Sequence, residues 1–303
     1  MTRAAPRTDE SRTTRPDAAK TEPESDAGLE IETIHRSDNP AGDVRNFRLR
    51  FPAPGERDAD GLIDQDEEWC EVRIGDTWRR IRFHDYHEVY GVPGLYEALF
   101  ARRLKCSSPE RVVGLFDDVL GDFPQDASDL RVLDIGAGNG MVGEEFRRIG
   151  VPNLLGIDII PEAKDAAERD RPEVYRDYLV ADLTDLDDGQ RSRIATFRPN
   201  AMSVVAALGY GDIPTAAFLS AASFIPDGGW LVFNIKEDFL RERDDESGFS
   251  RLIRRLQAEE RLEIQAMRRY RHRLSMQGEP LHYVAIVAVK KRDLGDDEEA
   301  KTA

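Results

Sequence analysis

The run 130–140, Leu-Arg-Val-Leu-Asp-Ile-Gly-Ala-Gly-Asn-Gly, constrains this chain more than any other feature. Residues 131–135 read as a short apolar strand and 141–149 as a helix. Between them Gly136, Gly138 and Gly140 stand at every second position. Without a Cβ, glycine reaches backbone angles closed to other residues and lets the main chain approach a ligand closely. The helix beyond opens with N–H groups that have no partner inside the helix. Strand, glycine-rich turn and helix in this order read as a ligand-binding turn.

From there the texture alternates. Strands are expected at 154–160, 178–181, 201–206 and 230–235, the last after Gly228-Gly229, and helices at 162–169, 216–224 and 249–259. Two long strands, 262–274 and 281–290, close the pattern around Gln277-Gly278-Glu279. Strands alternating with helices imply a parallel sheet covered on both faces. The closing hairpin adds an antiparallel strand at one edge. Ligands of such sheets bind beyond the carboxyl ends of the strands, where the strand order reverses.

Upstream the pattern is different. Phe47, Leu49 and Phe51 alternate with polar residues, as do Cys70, Val72 and Ile74. Gly75-Asp76 reads as a hairpin turn into 77–83. A helix is expected from Pro93 to Lys105, with Leu95, Leu99 and Phe100 on one face. Ser108 is the expected N-cap of a second helix, whose stripe is Val112, Val113, Phe116, Val119 and Leu120. Residues 1–28 contain no Leu, Ile, Val, Phe, Tyr or Trp and read as a disordered tail. Residues 293–303, with Asp296, Asp297, Glu298 and Glu299, read as a solvated acidic tail.

Charge narrows the function classes. The 303 residues carry 43 Lys+Arg against 59 Asp+Glu, a formal net charge of −16. That balance disfavours a general nucleic-acid binder, which neutralises phosphates with cations, and attachment to anionic lipid. Cys70 and Cys106 are too few for a disulfide framework or a cysteine-rich zinc site. His84 and His87 have no firm third ligand, so no metal is expected. No apolar stretch approaches the roughly 18–20 residues of a membrane span, and the first residues lack the apolar core of a signal peptide. The expectation is a soluble cytoplasmic protein.

Three acidic strand ends identify the ligand class. Met141 takes the sixth position of the dinucleotide fingerprint G-x-G-x-x-G, where Gly or Ala belongs. The spacing is instead G-x-G-x-G, with Asp134 two residues before the first glycine. Asp158 ends Leu154-Leu155-Gly156-Ile157-Asp158, where a carboxylate can accept hydrogen bonds from two ribose hydroxyls. Asp182 ends the third strand in Val180-Ala181-Asp182-Leu183. Over about 130–291 this set resembles the class I methyltransferases that depend on S-adenosylmethionine (SAM). Three strings are similar to the Williams–Beuren-region methyltransferase-like proteins within that class: Met141-Val142-Gly143-Glu144-Glu145, Gly209-Tyr210-Gly211-Asp212-Ile213-Pro214 and Lys236-Glu237-Asp238-Phe239.

The resemblance implies an α/β fold: a Rossmann-like, mostly parallel seven-stranded sheet with helices on both faces, an antiparallel closing hairpin and an N-terminal α+β cap. It implies a cap and substrate region at 29–124 and a SAM-binding methyltransferase domain at 125–292. The cofactor-binding residues it points to are Asp134, Gly136, Ala137, Gly138, Gly140, Asp158, Ile159, Asp182, Leu183 and Ala206. In the family the acid at Asp182 meets the adenine amino group and the following amide a ring nitrogen. Nothing here matches the Asn/Asp-Pro-Pro-Tyr/Phe motif, and no cysteine stands where a C5 nucleophile would, so nucleic-acid acceptors lose ground. The expected acceptor is an O, N or S atom on a small molecule. His87 and Tyr210 are the candidate catalytic residues, with His84, Tyr86, Tyr90, Asp212, Glu237 and Asp238 nearby in the pattern. A homodimer is the assembly considered. Two alternatives stay open: an NAD(P)-dependent oxidoreductase, disfavoured by Met141 and the closing hairpin, and a SAM-binding protein without catalysis.

Overall fold

A computed structural model describes residues 29–34, 45–51, 67–74, 76–208, 213–241 and 247–295. Both expected tails fall outside this set, except residues 293–295, and so do Gly75, Tyr210 and Asp212.

The N-terminal strands β1 (Leu29–Ile34), β2 (Arg45–Arg50), β3 (Trp69–Ile74) and β4 (Thr77–Arg82) form an antiparallel sheet in the order β1-β2-β3-β4. Cys70 and Val72 of β3 turn inward, as their alternation predicts. Their core closes on Leu95, Leu99 and Phe100.

Seven strands make the larger sheet: β5 (Arg131–Ile135), β6 (Asn153–Asp158), β7 (Asp177–Val180), β8 (Ala201–Val204), β9 (Trp230–Lys236), β10 (Leu262–Leu274) and β11 (Pro280–Lys290). Their spatial order is β10-β11-β9-β8-β5-β6-β7. The five strands from β7 to β9 run parallel, and β11 and β10 pair antiparallel at the edge. The chain builds outward from β5 through β6 to β7, then crosses back to place β8 on the other flank of β5. This reversal leaves a crevice beyond the ends of β5 and β8.

Strand parity divides the core. Leu133, Ile135, Met202 and Val204 face one side of the sheet, with helices α6 (Thr215–Ser223) and α8 (Phe249–Ala258). Val132, Ala201 and Val232 face the other, with α2 (Ser108–Leu120) and α3 (Met141–Arg148). Burial on both faces explains why these strands read as continuous apolar runs. Helix α2, grouped by its sequence position with the cap, thus packs on the main sheet through Val112 and Phe116. An apolar stripe does not say which core it joins.

Local differences have physical reasons. The helix expected from Pro93 to Lys105 is shorter, a π-helical run over Glu97–Arg103, and a separate helix α1 (Tyr86–Gly91) precedes it where β texture was expected. Ser107, not Ser108, is the N-cap residue of α2. Its hydroxyl donates to the Arg271 carbonyl at 2.8 Å, and Ser108 is buried inside the helix start. Helices α4 (Pro161–Asp170) and α5 (Asp188–Phe197) flank β7. The periodicity missed α5, which buries only Ile194 fully. A short α7 (Glu237–Arg241) follows β9. No helix among the described residues is long and apolar enough to cross a membrane.

Candidate functional site

The turn after β5 carries three left-handed glycines, with φ of +65°, +51° and +87° at Gly136, Gly138 and Gly140. At Gly138 a side chain has no room, because an added Cβ would run into the Tyr90 hydroxyl. The turn is pinned from beneath: the Tyr178 hydroxyl donates to the Gly138 carbonyl at 2.9 Å. Gly140 is the N-cap residue of α3 and ends the turn.

Asp158, the last residue of β6, is held by backbone. Its Oδ2 accepts the Gly138 N–H at 2.9 Å and its Oδ1 the Ile160 N–H at 3.0 Å. A carboxylate oxygen can accept more than one hydrogen bond. Asp182, beyond β7, accepts from the Thr184 N–H and hydroxyl at 2.8 and 2.7 Å. Those two bonds hold its carboxyl below the usual range.

These groups border a cleft of about 900 Å³, counting the space open at its mouth. Of the residues expected to hold the cofactor, Gly136, Asp158, Ile159, Asp182, Leu183 and Ala206 line it. Ala137 and Gly138 line a smaller inner chamber that shares Tyr90, Tyr96, Gly136 and Ala206 with the cleft. Gly140 lines neither space. Asp158 and Asp182 are the only charged groups among the described residues of the cleft wall.

Asp134 differs from expectation. It is buried beneath the turn, where Oδ1 accepts the Ser203 hydroxyl at 2.6 Å and Oδ2 the Tyr175 hydroxyl at 2.7 Å. Burial pushes its carboxyl up to about 6. Strand parity is the reason. Asp134 shares the side of Val132, and across the parallel register it meets Ser203. It braces the turn and does not line the cleft.

His87 stands exposed outside the cleft wall, with Nε2 3.7 Å from Glu88 Oε1. Tyr210 lies outside the described residues; Ile213, three positions further along the chain, lines the cleft. Glu237 instead receives Arg269 Nε at 2.9 Å. Among the described residues no group of three or more His, Cys, Asp or Glu is placed to hold a metal ion.

Opposite the glycine turn stands an aromatic wall. Tyr90 stacks between Tyr86 and Tyr96, with centroids 6.1 and 5.0 Å away, and Tyr96 leans on Phe100 at 4.7 Å. The wall sits where it does because Tyr90 packs on the buried alanines Ala163 and Ala166 of α4. Arg171 ties the π-helical run to the start of α3, donating to Glu97 and Glu144 at 2.8 Å each. Burial raises both the Tyr90 and Tyr96 phenols well above their ordinary range, so they are neutral donors and not bases.

One group escaped the sequence reading. Asn139 is 2 % exposed, lines the inner chamber, and its Nδ2 has no acceptor among the described residues. Its place between two of the motif glycines was the available signal.

The site combines an apolar slot, a carboxylate pinned by backbone at its edge, and a small chamber into which the buried Asn139 amide turns. Residues 101–280 match the family described as a methyltransferase domain. The mitochondrial ubiquinone biosynthesis O-methyltransferase of Candida albicans is 27% identical over 157 residues, covering 50% of this chain and 45% of that protein. The ubiquinone biosynthesis O-methyltransferase of Xanthomonas oryzae pv. oryzae is 28% identical over 144 residues, covering 46% and 58%. The match thus spans about half the length of these curated relatives. Among solved structures, magnesium protoporphyrin IX methyltransferase from Synechocystis PCC 6803 with bound SAH is 16% identical, covers 60% of this chain and 82% of that one, and has a TM-score of 0.42. A SAM-dependent methyltransferase from Anabaena variabilis is 16% identical, covers 69% and 96%, and has a TM-score of 0.43. The chain belongs to the methyltransferase-domain family.

Proposed function

We propose that the protein transfers the methyl group of SAM to an O, N or S atom of a small molecule, with a hydroxyl oxygen the acceptor to test first. The observation that carries this reading is Asp158, suspended between two backbone N–H groups at the edge of an apolar cleft. The names of the O-methyltransferase relatives support the choice of acceptor atom. The three strings similar to Williams–Beuren-region methyltransferase-like proteins support a place near that group.

The residues fit this cofactor. Asp158 would hold the ribose, Asp182 and Leu183 the base, and the inner chamber with Asn139 the amino-acid tail. When bound, SAM supplies an electrophilic methyl carbon on a positively charged sulfur. Two carboxylates and a row of tyrosine faces favour a cation in a low-dielectric cleft. Met141 at the sixth position of the glycine motif and the antiparallel closing hairpin weigh against a nicotinamide cofactor. Positioning and exclusion of water are the main contributions open to the protein. The stacked tyrosines supply the second. A hydroxyl acceptor must still lose its proton, and neither Tyr90 nor Tyr96 accepts it. Tyr210 and Asp212, close in sequence to the cleft residue Ile213, are the groups proposed to take that proton.

Titration calorimetry with SAM and with NADH tests the cofactor, and transfer of labelled methyl from SAM to a small-molecule extract tests the activity. Saturable SAM binding with label in the small-molecule fraction is expected. Binding of NADH alone contradicts the cofactor, and SAM binding without transfer to any fraction contradicts the enzyme.

A further inference from the structure

Behind the cleft lies a buried polar chain that the cofactor contacts do not use. Ala206, in the cleft wall and the inner chamber, has φ of +58°, a left-handed conformation that strains a residue with a Cβ. Its N–H donates to Asn234 Oδ1 at 2.7 Å. Asn234, on β9, is wholly buried. Its Nδ2 donates to the Tyr270 hydroxyl at 2.6 Å and reaches Ser108 Oγ at 3.3 Å. Ser108 Oγ lies 2.6 Å from the Tyr270 oxygen and 2.6 Å from His272 Nδ1.

One fixed donor settles the orientation of Asn234 at the head of this chain. A backbone N–H can only donate, so Asn234 must turn its oxygen to Ala206 and its amide hydrogens to Tyr270 and Ser108. The Tyr270 O–H then has Ser108 Oγ as its acceptor among the described residues, and the Ser108 O–H goes to His272 Nδ1. The last step needs a neutral imidazole with a bare Nδ1. Burial keeps the ring neutral by pushing His272 down to about 3, with Arg273 next to it acting in the same sense, and the Ser108 O–H selects the tautomer with a bare Nδ1. The chain therefore links β9, the closing hairpin and the start of α2 to one strained residue in the cleft.

We propose that Asn234, oriented by Tyr270, Ser108 and His272, is a positioning residue that holds Ala206 in its left-handed conformation and so shapes the wall against which the methyl donor lies. This rests on the SAM reading above. A surviving network with no such role would affect folding alone. A positioning role affects cofactor affinity in a way that depends on the residue at 206.

The test is a double-mutant cycle read by calorimetric titration of folded protein with S-adenosylhomocysteine. Asn234→Ala is expected to weaken binding about tenfold, roughly one hydrogen bond's worth. In an Ala206→Gly background the same change is expected to cost about threefold or less, because glycine takes a positive φ without strain. An equal loss in both backgrounds, or no loss in either, overturns the proposal. If Asn234→Ala does not fold, Tyr270→Phe replaces it, since it removes the hydroxyl that orients the amide. About threefold weaker binding is then expected, shrinking in the glycine background, and the same equality would overturn the idea. Failure of the parent protein to bind S-adenosylhomocysteine would instead refute the SAM reading itself.

Discussion

The ends of β5 and β6 lie side by side and each carries an aspartate, yet the two carboxylates do different work. Asp134 lies under the glycine turn, with its oxygens taken by the Ser203 and Tyr175 hydroxyls. Asp158 borders the cleft, with its oxygens steadied by the Gly138 and Ile160 N–H groups. One acid is tied into the scaffold and the other is the proposed ribose ligand. What separates them is position along the strand, since Asp158 stands two residues beyond Gly156, the partner of Asp134. Asp134 lies within β5 on the side of Val132, whereas Asp158 is the terminal residue of its strand.

The contrast can be broken most forcefully at Asp158. Asp158→Ala removes an acceptor of two charge-assisted hydrogen bonds to a ribose, each about 2 kcal/mol, so S-adenosylhomocysteine affinity should fall by about a thousandfold in calorimetric titration. Near-parental binding would place the ribose elsewhere. Asp134 should answer to pH instead. Its carboxyl is raised by burial to about 6 in the folded state from an ordinary 3.8, so the folded protein holds this proton more tightly than the unfolded chain. That contribution is fully present below about pH 4 and is lost as pH rises through about 6, on the order of 3 kcal/mol in all. Denaturant midpoints across this window should show the loss in the parent and not in Asp134→Asn. An identical pH dependence in both proteins would remove Asp134 from the account. The smallest of the three effects is expected at the aromatic wall. Tyr90→Ala opens a gap between Tyr86 and Tyr96 and should weaken S-adenosylhomocysteine binding about tenfold, or roughly 1.4 kcal/mol. Unchanged affinity would mean that the wall faces the acceptor alone.

The sequence shows some of this and hides the rest, for identifiable reasons. Strand β5 could be read to the residue, because a buried parallel strand is a short apolar run ended by glycine. The long strand β10 was equally legible, and its partner β11 to within a residue, through alternation and a Gly-bearing turn. The apolar run carries the expected second strand to 160, whereas β6 ends at Asp158, so the acid is legible and the strand bound is not. Helix α5 was hidden, since a stripe with one fully buried residue carries little periodicity. The capping box that pairs Asp187 with Gln190 was the signal that could have located it. The fate of Asp134 depended on Ser203, 69 residues away and across a register no local pattern records. The Asn234–Tyr270–Ser108–His272 chain was hidden for the same reason, since its members come from three distant elements. His87 drew attention as a titratable residue near other aromatics, but its place in the short α1 leaves it facing solvent beside Glu88.

A crystal structure of the complex with S-adenosylhomocysteine tests the central claim most directly. Both ribose hydroxyls should lie within hydrogen-bond distance of the Asp158 carboxylate, with the purine between Ile159 and Leu183. A nucleoside bound elsewhere, or an Asp158 that touches only the Gly138 and Ile160 amides in that complex, would contradict it.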